Sequence, residues 1–416
     1  MIRKKKIYDP VHRFIFLDEL ESELIHTPPF QRLHYIHQLG MSYCVYPGAR
    51  HRRFEHSLGV MELATHIYDE VTKDNRLKDE PLMPVFGSFE HRYWRRVLRL
   101  AALCHDIGHL PFSHMAEKKI FGAGGHEAWT RKMLESEMFD SIWRQFRVAS
   151  LEEGIDRDVR CDVIKIALGE KRCEESFSHW EKVLTEMITG DFFGADRIDY
   201  LLRDSQCTGL AYGFFDYHQL IEMLKIIPIP DEGLVLGVEE NGIESCEALL
   251  LARYYMHKRL YQYSSVKSYA YHVARFMMVC DLGENEDLNR YINTTDNEVI
   301  SEIQDAAKDA THPGHFDAKC LCFNDYRFRA IPFMSLCEEE LISLRGRWGS
   351  AIDWELCTCS MKKIPLSFLV LKKDGAIDIG DNVSEISIPS TERNWIYIAP
   401  QYEAELQNVL NHVNFL

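Results

Sequence analysis

The stretch CHDIGHLPFSH, residues 104–114, places three histidines and an aspartate within eleven residues. It follows the apolar run VLRLAAL at 97–103. That pattern predicts a helix from about His91 that ends near Gly108 and Pro111. Ionisable groups clustered at the end of a core-like helix are either satisfied structurally or gathered around a metal ion. His105 and Asp106, adjacent at a helix end, can both turn into one cavity. An octahedral site there needs further ligands from elsewhere in the chain.

Candidates for those ligands stand on both sides of the stretch. A helix is predicted from about Phe54, with Val60, Leu63, Ala64 and Ile67 at the i, i+3, i+4, i+7 spacing of a buried face. His56 lies one turn before Val60 on that face. Further on, GADRIDYLLRD at 194–204 stacks Asp196, Tyr200 and Asp204 at four-residue intervals. A carboxylate, a phenol and a second carboxylate on one face are unusual for pure core. The plainer alternative is that Asp196 caps its helix and Asp204 pairs with a surface arginine.

The rest of the chain reads as a mostly α protein in two parts. Residues 1–285 form a helical core with small β-hairpins, and 286–416 a smaller α+β region suited to oligomerisation or regulation. The core begins with an extended hairpin over 1–20. A helix over TPPFQRLHYIHQLG (27–40) has Thr27 as N-cap and Gly40 as its stop. YCVYPGA (43–49) reads as a short strand and turn. Helices follow over 125–146, 157–169, 177–190, 196–205, 216–226 and 243–282, with GLVLGV (233–238) as a hairpin strand. The polar stretch DLGENEDLNR (281–290) reads as the boundary. Beyond it come the helix DNEVISEIQDAAKD, strands in LSFLVLKK, AIDIG, SEISIP and NWIYIAP, and a final helix YEAELQNVLNHV.

Composition narrows the function. The chain has 416 residues, 46% apolar and 27% charged, enough for a sizeable core. A net charge of −16 disfavours general binding to nucleic acid or anionic membrane. No uninterrupted apolar run approaches the roughly 18 residues of a membrane span. The basic start MIRKKK is not followed by an apolar segment, so no signal peptide is expected and the cytoplasm is the default. Twelve cysteines then read mostly as reduced thiols. Two C-x-C pairs, Cys320/Cys322 and Cys357/Cys359, would form a four-thiolate site if both lay on strands, where i and i+2 share a face. Chance pairing is the simpler reading.

Several ordered motifs together resemble the HD-domain phosphohydrolases. These are YDPVHRFI (8–15), TPPFQRLHYIHQLG, RFEHSLGV (53–60), CHDIGHLPFSH, DRIDYLLRD (196–204) and ARYYMHKRLYQY (252–263). The similarity is to the deoxynucleoside-triphosphate triphosphohydrolase branch, which includes SAM-and-HD-domain enzymes and bacterial relatives. It implies hydrolysis of dNTPs to deoxynucleoside and inorganic triphosphate. The implied metal ligands are His56, His105, Asp106 and Asp196. Mixed imidazole and carboxylate donors suit Mn, Fe, Mg, Zn or Ni. A second Mg on the triphosphate is compatible with the resemblance, as is a second ion held by His109, His114 and His126.

Roles for other residues also come from the resemblance. His114 matches the catalytic histidine at the scissile Pα–O5′ bond, and Glu117 the acid that orients it, where the best-known member has aspartate. His109 and His126 match pocket histidines near the phosphates. Arg53, Arg197 and Tyr200 match phosphate contacts. Gln38 and Leu39 match residues that read the 3′-hydroxyl and exclude a 2′-hydroxyl, and Asp204 the sugar-binding carboxylate. Arg253, Tyr261 and Gln262 match nucleotide contacts. Arg253, His257 and Tyr261 also share a helix face, which is otherwise read as an aromatic core stripe. The implied partners are a nucleoside triphosphate and further copies of the chain, as dimer or tetramer.

The sequence departs from the pattern at the activator site. His26 and His34 stand where the vertebrate enzyme has an aspartate and an arginine for guanine, although Gln31 is kept. Activation by GTP is therefore not carried over, and no SAM domain is expected ahead of the core. Two alternatives remain: an HD hydrolase or phosphodiesterase acting on a signalling or ribonucleotide, and a nucleotide sensor without turnover.

Overall fold

The computed structural model describes residues 5–73, 82–120, 125–230, 233–280, 287–324, 326–333, 336–357 and 363–413. The chain opens with an antiparallel hairpin, β1 (Lys5–Asp9) and β2 (Arg13–Leu17), followed by α1 (Glu19–Ile25) and α2 (Pro28–Arg32). The core proper is α3 (Arg53–Thr72), α4 (Phe89–Cys104), α5 (Glu117–Ile120), α6 (Glu127–Leu134), α7 (Asp140–Glu152), α8 (Val159–Leu168), α9 (His179–Thr189), α10 (Ala195–Thr208) and α11 (Tyr217–Met223). The hairpin β3 (Leu224–Ile229) and β4 (Gly233–Glu239) precedes α12 (Ile243–Met256) and α13 (Ser264–Met277). Among the described residues, no helix is long and apolar enough to cross a membrane.

The later region holds α14 (Leu288–Asn293), α15 (Asp296–Ala306), α16 (His315–Cys322), β5 (Arg329–Phe333), α17 (Glu338–Trp348), β6 (Ile352–Glu355), β7 (Leu369–Leu371), β8 (Ile377–Ile379), α18 (Gly380–Val383), β9 (Asn394–Ile398) and α19 (Glu403–Val413). The overall class is thus a helical core with small sheets and a smaller α+β region. Strands β5, β9 and β6 form an antiparallel sheet in that order. Its small core joins Phe333, Leu341, Leu344, Trp348, Ile396, Ile398 and Leu406. The second sheet crosses the expected boundary, because β7 pairs in parallel with β4 through Val238 and Val370. The main apolar core likewise takes in Tyr291, Ile292, Val299, Ile303, Phe368 and Val370.

Several local expectations are corrected. The helix expected over 27–40 ends at Arg32, and a 3-10 turn follows over Leu33–Tyr35. The chain then leaves helical geometry to pair with the segment before α3. Arg53 N donates to Ile36 O at 3.0 Å and Gln38 N to His51 O at 3.1 Å. The predicted strand at 43–49 is not formed, since Gly40–Cys44 is a 3-10 turn. The single helix expected over 125–146 is two, α6 and α7. The Trp143 indole N–H donates to Leu134 O at 3.0 Å, satisfying a carbonyl freed where α6 ends.

The long helix expected over 243–282 is interrupted by a π-turn at His257–Tyr261, closed by Gln262 N donating to His257 O at 2.7 Å. SEISIP makes only an isolated bridge, Lys363 with Pro389, because Ser384 is drawn to Glu247 of α12 at 2.5 Å. Cys320 and Cys322 lie on α16 rather than a strand, so one is buried and the other exposed. Cys359 and the boundary residues 281–286 lie outside the described residues.

Three helices deliver the site. α3 packs against both α4 and α10. Gly59 permits the close approach of α10, since a Cβ there would lie 1.9 Å from Asp199 Oδ1 and 2.5 Å from an Arg203 nitrogen. Gly59→Ala is expected to destabilise the chain by about 1–3 kcal/mol through overpacking and a displaced carboxylate. Denaturant unfolding measures it, and an unchanged midpoint would show that α10 is not tightly seated.

Candidate functional site

His56 projects from the first turn of α3, His105 caps the C-terminus of α4 with Asp106 next, and Asp196 sits in the first turn of α10. Gly194 is the N-cap of α10, so Asp196 is free to face inward rather than cap its own helix. His56 Nε2 lies 3.0 Å from Asp196 Oδ1 and 3.5 Å from Asp106 Oδ2. His105 Nε2 lies 3.5 Å from Asp106 Oδ2 and 3.7 Å from Asp196 Oδ1. Adjacent ligands at about 2.1 Å from one octahedral ion stand about 3 Å apart, so this spacing suits a single cation.

The donors fit a metal in chemistry as well as distance. His105 Nδ1 donates to Ala102 O at 2.7 Å, which turns Nε2 into the cavity. That Nε2 is buried and has no hydrogen-bond partner. His56 Nδ1 donates to Asp199 Oδ2 at 2.7 Å, so its Nε2 is likewise the atom turned toward Asp106 and Asp196, where it could ligate an ion. Burial disfavours a charged His56, yet Asp196 and Asp199 outweigh it and hold its pKa up at about 10. Asp196 is held well below the carboxylate range against its burial, by His105 and His56. A site that stabilises positive charge this strongly also suits a divalent cation.

Asp199 carries this arrangement and was passed over in the sequence. It is fully buried and accepts from His12 at 2.6 Å, from His56, and from Arg203 at 2.8 and 2.9 Å. Arg203 in turn binds Asp9 at 2.8 Å. The spacing of Asp199 to Arg203, one helical turn, was the available signal. It resembles an ordinary surface pair, and only burial distinguishes it.

A second cluster lies on the other side of Asp106. His109 and His126 stack with ring centroids 3.6 Å apart. Their Nε2 atoms are 3.3 and 3.7 Å from Asp106 Oδ1. Glu117 bridges the histidines, accepting from His126 Nδ1 at 2.6 Å and from His114 Nδ1 at 2.5 Å. Burial pushes the Glu117 carboxyl up, but those two imidazoles hold it far below its ordinary range. His109 is driven well below its ordinary value by burial and by Arg53 and His126. Arg53 is itself buried, pairs with Asp106, and donates from Nε to Ser113 Oγ at 2.9 Å.

A cavity of about 900 Å³ opens from these groups. Gln38, Leu39, Arg197, Tyr200, Asp204, Arg253 and Tyr261 all line it. Gln262 does not: its side-chain oxygen accepts from the Trp395 indole at 3.1 Å. Asp204 is already committed, accepting from Tyr261 at 2.6 Å and His51 at 2.7 Å. Lys171, His257, Lys267 and Trp354 also reach the cavity wall and were given no role from sequence.

Comparison with known proteins finds a family match over part of the chain. The HD-domain family model matches residues 53–169, the span holding His56, His105 and Asp106. Residues 53–169 are thus similar to the HD domain. The chain is 29% identical to an uncharacterized protein of Methanocaldococcus jannaschii, over 99% of this chain and 83% of that one. It is 30% identical to the human deoxynucleoside triphosphate triphosphohydrolase SAMHD1, over 62% of this chain and 42% of that protein. The crystal structure of a hypothetical protein from Aquifex aeolicus superposes with a TM-score of 0.71 at 26% identity, covering 97% of this chain and 98% of that one. The chain therefore spans less than half of the human relative.

Two outcomes follow for the HD site. Asp199→Asn should weaken divalent-metal affinity about 10–100-fold, measured by competition with a chelator, while an unchanged affinity would remove Asp199 from the metal's support. Burial pulls the His51 imidazole down, but Asp204 and Cys207 outweigh it and hold its pKa near 9. A raised folded-state value stabilises fully below the ordinary histidine pKa, ~6.5, and that contribution fades as pH rises toward 9. The stability of the unmutated chain should therefore fall across that window relative to His51→Gln. Parallel pH profiles would contradict the pair.

Proposed function

We propose that the chain is a metal-dependent dNTP triphosphohydrolase, cutting the Pα–O5′ bond to release a deoxynucleoside and inorganic triphosphate. The observation that carries this reading is the placement of an ionised Glu117 and its two imidazoles across Asp106 from the other three candidate ligands. A divalent ion held by His56, His105, Asp106 and Asp196 would supply Lewis-acid polarisation of the phosphate and activation of water.

The chain's own residues do the rest. Arg53, with Arg197, Arg253 and Lys171 on the cavity wall, offsets the roughly four negative charges of the triphosphate. His114 donates from Nδ1 to Glu117, and in its imidazolium form the ring carries a second proton on Nε2, the one that moves. Water attacks the α-phosphorus and releases a proton to solvent, the Pα–O5′ bond breaks, and the His114 Nε2 proton goes to O5′. The His114 ring is exposed and lines the cavity, within reach of a bound substrate. Gln38 Oε1 is buried without a hydrogen-bond partner, an acceptor suited to a sugar 3′-hydroxyl, and Leu39 beside it offers nothing to a 2′-hydroxyl.

The test is incubation with each dNTP and rNTP in Mn or Mg, with detection of intact triphosphate. The reading predicts triphosphate from dNTPs, none from Asp106→Ala, and a kcat about 10²–10⁴-fold lower for His114→Ala at unchanged metal content. Equal turnover of ribonucleotides, or release of pyrophosphate or monophosphate, would point instead to another HD nucleotide hydrolase. Binding without hydrolysis would make it a sensor.

A further inference from the structure

Phe112 and Ser113 both adopt positive φ, +58° and +56°, in the turn between the His105–Asp106 pair and His114. Side-chain-bearing L residues resist this region, so two in succession must be held there by their surroundings. The hold comes from beyond the expected HD core. Asp296, at the start of α15, is fully buried, and its Oδ1 accepts from Phe112 N at 2.8 Å. Its Oδ2 accepts from His37 N at 2.9 Å and from His37 Nδ1 at 2.6 Å. One carboxylate thus ties the two loops that flank Arg53.

The tie continues to the charged centre. Ser113 Oγ donates to His37 O at 2.7 Å and accepts from Arg53 Nε at 2.9 Å. Arg53 then reaches Asp106 through Nη1. Every link is buried, and Ser113 joins Asp296 to the Arg53 side chain through His37 O and the adjoining Phe112 backbone. We propose that Asp296 is a positioning residue: acting through His37 and the Phe112–Ser113 turn, it aims Arg53 at the triphosphate. Asp296 touches neither the ligand quartet nor the cavity wall.

The inference rests on the phosphohydrolase reading, and the experiment separates the two. Asp296→Asn keeps the shape but opposes an N–H to one of its donors, and Ser113→Ala removes only the bridging hydroxyl. Each should lower dNTP kcat/KM about tenfold with metal content unchanged, and the double variant should lose little more than either alone. The affinity of the metal-loaded protein for inorganic tripolyphosphate should fall in the same non-additive way. Losses that multiply, or wild-type values in either single variant, would overturn the positioning role. Ser113→Ala keeps the test valid if Asp296→Asn folds poorly. Absence of hydrolysis by the unmutated chain would overturn the reading, leaving the tripolyphosphate affinities to decide the inference.

Discussion

A buried carboxylate that must serve three donors at once sets the terms for this structure. Asp199 lies between His12, His56 and Arg203 with no exposure to solvent. An unpaired charge at that depth would be strongly destabilising, so its partners are obligatory. The arrangement fixes the His56 tautomer, brings α10 onto α3 at Gly59, and ties the opening hairpin to the core through His12 and Asp9. Asp196, one turn earlier on α10, is delivered to His56 and His105 by the same packing. The site is therefore a consequence of how three helices meet.

The same logic governs the opposite side of Asp106. Its two oxygens face different groups: Oδ2 toward His56 and His105, Oδ1 toward His109 and His126. One carboxylate thus joins the candidate metal ligands to the histidines that would handle the proton. Gly108 makes room for this, since a Cβ there would lie 2.3 Å from His126 O and from Thr130 N. Farther out, α14 supports the turn, with the Tyr291 hydroxyl donating to Gly108 O at 2.7 Å.

Residues whose chemistry is local were legible in the sequence. His105, Asp106, His109 and His114 fall in one short run, and His56 and Asp196 stand on faces whose periodicity marks them as inward. Their supports were not legible. Asp199 and Arg203 resemble a surface pair until burial is known, and Asp296 lies some 180 residues from Phe112 in the chain. The helix breaks were missed for a related reason. Propensity favours a continuous helix through His257–Tyr261, while the widened turn accompanies a tertiary bond, Tyr261 to Asp204. The placement of β7 beside β4 is another long-range pairing that no local pattern announces.

The central claim is that four side chains from α3, the end of α4 and α10 share one divalent ion. Anomalous diffraction from crystals grown with Mn tests it directly. The account predicts a single strong peak about 2.0–2.3 Å from His56 Nε2, His105 Nε2 and the carboxylates of Asp106 and Asp196. A peak elsewhere, or none at this position in crystals that hold Mn at another site, would contradict it.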